Sequence, residues 1–301
     1  MCHDSGMRHN LPPTPAFRDS LKSDPIQEIA LRVVAELPEW KIYVLGTAVL
    51  IGGRLALTAK HVVEAAIRKF GATRTTKGLE VAGHSIRLIQ VLPGPVYRIW
   101  NVSHAWISPS DIAILHVDLD RTSDAQVAIE WRVPILRMMP PPSGHKVLAF
   151  GYRESKLEVS EGADGTHHMV INDIGTTSIG EVGQIFPERR DNSMLTFPCF
   201  EVRARFVAGM SGGLVVDEEG ALCGLVCAGT EFAEPNALPL SYAATLWPML
   251  LTRISVDRGD AYPRGVEYPM IDLALDKLIN VVGLSELDSK LFPGRALPRN
   301  G

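Results

Sequence analysis

The stretch from Lys41 to Ala59, KIYVLGTAVLIGGRLALTA, constrains the fold more than any other part of the chain. It alternates, is rich in Val, Ile, Leu and Thr, and breaks at Gly52-Gly53, which is the signature of a β-hairpin. Apolar runs at 86–92, 112–117, 146–150, 199–207, 213–216 and 221–228 read as further strands, separated by Gly, Pro, Asn and Asp. The chain is therefore mainly β, with turn signals spaced for a barrel or a sandwich. No internal repeat or low-complexity segment interrupts the pattern.

Residues 26–37 read two ways. Ile26, Ile29, Ala30, Val33, Val34 and Leu37 form a helical stripe after Asp24-Pro25, whereas Ile29, Leu31, Val33 and Ala35 alternate as a strand does. Helices are expected only near the C-terminus, around 244–252 and around 269–282, where Pro269 suits a first helical position. Prolines at 134, 140, 141 and 142 cannot continue a central strand, so 133–143 reads as an extended connector. The expected division is a flexible extension at 1–25, a first unit at 26–132, the connector, a second unit at 144–252, and a C-terminal extension with one helix at 253–301.

With 301 residues, 46% hydrophobic and 21% charged, the chain can bury a large core and has an ordinary globular make-up. Its formal charge is −4 and its 30 Lys and Arg residues are scattered, which argues against a nucleic-acid partner. The N-terminus, MCHDSGMRHNLPPTPAFRDSLKSDP, has charges and prolines where an export signal needs roughly 7–15 apolar residues in a row. The run YAATLWPMLL is far shorter than the roughly 20 residues of a membrane span and contains Pro248. A soluble protein with no membrane partner is expected. Four cysteines are few for a disulfide-stapled domain. On one strand Cys223 and Cys227 would stand about 13 Å apart, beyond disulfide reach. No pair of CxxC motifs offers a zinc site. The expectation is no metal, no cofactor, and a reducing, cytoplasmic setting.

The strongest chemical signal is Gly209-Met210-Ser211-Gly212-Gly213. Flanking glycines let a nucleophilic serine sit on a tight turn and let a substrate carbonyl approach the main chain. Backbone N–H groups on such a turn can converge as an oxyanion hole. The same GxSxG pattern serves as a plain glycine-rich turn, or as the nucleophile elbow of an α/β-hydrolase. Chain order excludes the hydrolase, in which the catalytic His follows the Ser: all 9 histidines here lie at or before His168. His61 directly follows the second hairpin strand, and Asp111 stands at the mouth of the apolar run DIAIL. Each alone has a bland reading, a solvated histidine and a strand-start turn residue.

Taken together, GTAVLIGGRLALTAKHVV, DIAIL and GMSGGLVV resemble the three signature segments of trypsin-like peptidases, above all the bacterial, disulfide-poor branch that includes the HtrA-type proteases. The order His, Asp, Ser and the gaps between them fit that family. The resemblance covers residues 29–250 and implies an all-β fold of two six-stranded antiparallel β-barrels. The first would carry His61 and Asp111, the second Ser211, with the site in the cleft between them and short helices packed outside. Barrels also suit many short strands, because closure removes exposed edges. It implies a serine endopeptidase acting on protein or peptide substrates, with Ser211 as nucleophile, His61 as general base and Asp111 orienting it. Gly209 and Ser211 would donate the oxyanion N–H groups, and Cys227, Ala228 and Gly229 would contact substrate through the backbone. Residues 144–152 look like the opening strand of the second barrel.

Arg205, six before the nucleophile, occupies a position that in the family often lies at the base of the specificity pocket, where it would favour an acidic substrate residue. The alternation in EVRARFV fits instead a half-buried strand with both arginines in solvent, and the HtrA-type relatives imply a small or aliphatic preference. Departures from the family pattern are informative. Met210 stands where digestive relatives have an Asp that receives a newly cut N-terminus, so no such maturation is expected. Val62 replaces a half-cystine, and too few residues follow Leu250 for a PDZ module. A subtilisin-like reading through Asp4 fails because Asp4 lies in a polar terminus with no preceding strand. The alternative function is a catalytically silent homologue that binds proteins or peptides; a regulatory partner is left open.

Overall fold

A computed structural model describes residues 17–20, 25–37, 41–52, 54–70, 73–75, 78–80, 86–92, 97–120, 133–161, 167–229, 239–257, 259–263 and 265–298. Most of the expected N-terminal extension, including Cys2 and Asp4, and Gly53 of the hairpin turn lie outside those residues.

A short strand β1 (Phe17–Asp19) precedes the first barrel, which is built from β2 (Ala30–Leu37), β3 (Lys41–Gly52), β4 (Leu55–Thr58), β5 (Ile86–Val91), β6 (Tyr97–Ile107) and β7 (Ala113–Leu119). They pair antiparallel in the ring β2-β3-β4-β7-β6-β5 and back to β2. The second barrel comprises β8 (Lys146–Glu161), β9 (His167–Phe186), β10 (Cys199–Val202), β11 (Leu214–Asp217), β12 (Leu222–Gly229) and β13 (Ser241–Thr245). Its antiparallel ring runs β8-β9-β10-β13-β12-β11 and closes on β8. The fold is thus two closed six-stranded β-barrels.

The ambiguous segment 26–37 takes the strand reading over most of its length, and the helical stripe expected across it does not form. Residues Pro25–Glu28 form one 3-10 turn, Ile29 is a turn, and Ala30–Leu37 is strand, because β2 is flanked by β3 and β5. Residues 30–35 are all buried, which is why no single periodicity stood out. Leu31, Val33, Ala48, Leu88, Trp100 and Leu115 fill the first barrel, and Val147, Ala149, Phe200, Val215 and Val226 the second. A third cluster, including Leu57, Phe150, Tyr152 and Leu225, joins the barrels and continues under the C-terminal segment through Met249 and Met270.

Three expectations for local structure are corrected. The segment around 244–252 is not one helix: β13 pairs with β10 and β12, and only Trp247–Leu251 turns, as 3-10 helix with a proline in its first turn. The helix expected at 269–282 is the six-residue Met270–Leu275, after which Val281–Val282 pairs in parallel with Leu136–Arg137. Leu136 also pairs with Leu222, so the proline-rich connector carries a strand of the second sheet. Third, the strand expected over 199–207 ends at Val202, because Ser241 captures the next segment: its Oγ donates to Ala204 O (2.8 Å) and accepts from Phe206 N (2.9 Å). An unexpected helix α1 (Lys60–Phe70) follows β4, its apolar stripe of Val62, Val63 and Ala66 buried against the first barrel.

The barrels are fastened by a buried ion pair. Arg32 on β2 binds Asp173 on β9, with Nη2 donating to Oδ1 at 2.9 Å, and its guanidinium carbon lies 3.7 Å from the ring centroid of Tyr152. The Tyr152 hydroxyl donates to Ala30 O at 3.2 Å. No helix among the described residues is long and apolar enough to cross a membrane.

Candidate active site

Asp111 ends a tight loop at the mouth of β7, in which Ser110 N donates to Ser108 Oγ (3.1 Å) and Ser108 N to Ile112 O (3.0 Å). Its side chain points at the first turn of α1. Asp111 Oδ1 accepts from His61 N (3.1 Å), Oδ2 meets His61 Nδ1 at 2.8 Å, and the Asp111 carbonyl accepts from Lys60 N (3.2 Å). A carboxylate is favoured there, because a helix N-terminus offers unpaired N–H groups and the positive end of its dipole. The same carboxylate fixes the imidazole. With Nδ1–H directed at Asp111, the neutral ring carries its lone pair on Nε2. Asp111 is buried, whereas the His61 side chain is 41% exposed and open to a reactant.

Ser211 lies on a turn that only glycine-rich sequence permits. Gly212 has φ +77°, and a Cβ there would stand 2.3 Å from Thr47 O. Gly213 N donates to Met210 O (2.8 Å) and closes the turn, while Gly212 N to Val226 O and Val226 N to Gly213 O, both 2.8 Å, clasp it to β12. From the other barrel, Thr47 N donates to Ser211 O at 2.8 Å. Gly46 is the shared wall: a Cβ there would meet Ser211 O at 2.8 Å and a methyl of Val62, the neighbour of His61, at 2.9 Å. The turn bearing Ser211 and the helix bearing His61 therefore adjoin across the junction of the barrels. Met210 is fully buried within the second barrel core, an apolar place that a carboxylate would not occupy without a partner.

β12 continues from this clasp into Cys227, Ala228 and Gly229, which pass from buried to exposed along the strand. Cys227 Sγ donates to Tyr242 O at 3.1 Å. Burial pushes its thiol well above the ordinary value, and the nearby Asp111 charge adds to this. A Cβ on Gly229 would meet Phe206 O at 2.4 Å, so segment 203–207 lies directly against the strand. Within that segment the Arg205 side chain is exposed, with its guanidinium carbon 5.4 Å from the ring centroid of Phe17 on β1. The described cysteines Cys199, Cys223 and Cys227 are free thiols. No group of three or more metal-ligating side chains occurs among the described residues.

Sequence reasoning singled out His61, Asp111, Ser211, Gly209 and β12, but passed over Thr47 and Ser241. Both look like ordinary strand residues, and their hydrogen bonds reach partners far away in the chain.

Among solved structures, the chain is similar in fold to an inactive form of Rv3671c from M. tuberculosis (14% identity, TM-score 0.42, covering 78% of this chain and 92% of that one). It is likewise similar to the MamO protease domain from Magnetospirillum magneticum (13%, TM-score 0.41, 73% and 93%). A third is the HtrA-type protease AlgW with a decapeptide (15%, TM-score 0.41, 73% and 61%). No curated protein matches the chain. Residues 46–225, more than half of the chain, match the family model described as Trypsin-like peptidase domain, and the chain belongs to that family.

Proposed function

We propose that the protein is a serine endopeptidase whose triad is Ser211, His61 and Asp111. The observation that carries this reading is the bond of 2.8 Å between His61 Nδ1 and Asp111 Oδ2, in a family of peptidases, beside a glycine-bounded serine turn. Ser211 Oγ attacks the substrate carbonyl carbon while His61 Nε2 takes its proton. Asp111 holds the tautomer and stabilises the imidazolium. Collapse of the tetrahedral intermediate passes the proton to the leaving amine and leaves an acyl ester on Ser211, which water then hydrolyses by the same steps. Gly209 N–H and Ser211 N–H face the developing oxyanion. The substrate lies along Cys227, Ala228 and Gly229. The outward stacking of Arg205 on Phe17 supports a small or aliphatic residue before the cut rather than an acidic one. The free cysteines agree with a reducing compartment.

The test is hydrolysis of a casein or peptide library together with labelling by a fluorophosphonate. Wild type is expected to cleave and to carry the label on Ser211, and Ser211→Ala or His61→Ala to lose turnover by roughly 10⁴–10⁶-fold while remaining folded. Full turnover in Ser211→Ala would overturn the assignment. Peptide binding without turnover in wild type would favour the silent binding module.

A further inference from the structure

We infer that Thr47, on β3 of the first barrel, is the positioning residue for the oxyanion-binding amides of the second barrel. The inference rests on the peptidase reading of the site. Thr47 is fully buried, so no water competes for its bonds. Its N–H donates to Ser211 O (2.8 Å), its hydroxyl donates to Gly209 O (3.2 Å) and accepts from Tyr152 N (3.0 Å), and its carbonyl accepts from Thr58 Oγ1 (2.7 Å).

Peptide geometry makes these bonds consequential. A trans peptide is a rigid plane whose N–H and C=O point in opposite directions. The plane joining Gly209 to Met210 is held at both ends, its carbonyl by the Thr47 hydroxyl and its N–H by Val207 O at 3.1 Å. The next plane has its carbonyl, Met210 O, tied to Gly213 N at 2.8 Å, which sends the Ser211 N–H the opposite way. The Ser211 carbonyl is fixed by Thr47 N. Gly209 itself sits at φ +92°, where a glycine is free to rotate and nothing in its own side chain resists. The stops on that rotation are Val207 O from the same barrel and the Thr47 hydroxyl from the other.

The direction of that hydroxyl is itself determined. It has one proton, and Tyr152 N–H already occupies an acceptor site, so the proton goes to Gly209 O. Tyr152 is in turn anchored across the barrel junction by its own hydroxyl on Ala30 O and by the Arg32 guanidinium over its ring. Thr47 therefore holds the two peptide planes that flank the one carrying the Ser211 N–H, the first of which also follows Gly209, so the geometry of the turn is set in part from the opposite barrel.

Three substitutions test this. Thr47→Val keeps shape and removes the hydroxyl, Thr47→Ser keeps the hydroxyl, and Thr47→Ala leaves room for water should the valine protein fail to fold. Thr47→Val is expected to lower kcat by about 10–100-fold with KM within about twofold, since a displaced donor loses part of what an absent one loses. Thr47→Ser is expected to stay within about threefold of wild type. Amide hydrogen exchange over residues 207–213 is expected to quicken about tenfold or more in Thr47→Val or Thr47→Ala, and not in Thr47→Ser. Wild-type kcat with wild-type exchange in the valine and alanine proteins would overturn the role of Thr47 and leave the peptidase reading intact. An inert wild type would overturn the peptidase reading, while the exchange comparison, which needs no turnover, still decides whether Thr47 orders the turn.

Discussion

Asp173→Asn should separate the two barrels energetically without removing bulk from either. Arg32 and Asp173 are 4% and 8% exposed, on strands of different barrels. Burial lowers the Arg32 pKa, but the hydrogen bond and charge of Asp173, with the tyrosine beneath, more than reverse this and hold it above its ordinary value. Asn preserves shape and one acceptor while deleting the negative charge, so the guanidinium is left buried and uncompensated. Breaking a buried pair in this way costs about 3–5 kcal/mol. At roughly 2–4 °C of Tm per kcal/mol for a chain of this size class, the melting temperature falls by roughly 6–20 °C. The assay is calorimetry on Asp173→Asn, Arg32→Met, Asp173→Leu and the double variant Arg32→Met/Asp173→Leu. Each single change should be strongly destabilising, and the double within about 1.5 kcal/mol of wild type, because an apolar pair of similar volume needs no counter-charge. Asp173→Asn melting with wild type, or single losses that simply add in the double, would refute the reasoning.

Burial pushes the Tyr152 hydroxyl up to about 12, with the neighbouring Asp173 charge adding and Arg32 opposing. A phenol whose folded value is raised contributes stability that is complete below about pH 10 and is lost as pH rises from about 10 to 12. The unfolding free energy from denaturant titrations should fall across that window, by about 2–3 kcal/mol from this group. Tyr152→Phe should flatten that part of the decline; an unchanged alkaline loss in Tyr152→Phe would contradict it. Gly212→Ala should abolish fluorophosphonate labelling and cost at least about 1–3 kcal/mol, since its Cβ would stand 2.3 Å from Thr47 O at φ +77°. Labelling of Gly212→Ala at the wild-type rate would show that the turn relaxes freely.

What the sequence disclosed and what it withheld divide along the range of the interactions. The Ser211 turn was legible because its glycines are a local steric demand, and so was the hairpin between Lys41 and Ala59, which forms as β3 paired with β4. His61 and Asp111 were legible only as members of an ordered set of motifs, since each alone has a bland reading. The helix Lys60–Phe70 was overlooked because His61 was taken as a strand end, although Val62, Val63 and Ala66 carry helical spacing. The end of β10 was not legible, because it depends on a serine 35–37 positions away that takes over two main-chain bonds. Nothing in the local sequence marks Arg32 for burial, which is explained by Asp173, 141 positions later.

β1 has a consequence for how the molecule behaves at high concentration. Phe17, Arg18 and Asp19 pair with Ser178, Thr177 and Thr176, while β10 takes up pairing with β9 only from Val182 onward. Near Thr176–Ser178, then, β9 and β10 have already parted, and a closed barrel has a local gap in its hydrogen-bonding rim. An unpaired rim of strand is a template on which a second molecule can add. By occupying it, the N-terminal strand denies that template to a second molecule, and the bonds of Ser20 N to Gly175 O at 2.6 Å and of Arg153 to Asp19 at 2.7 Å tie its end to the second barrel.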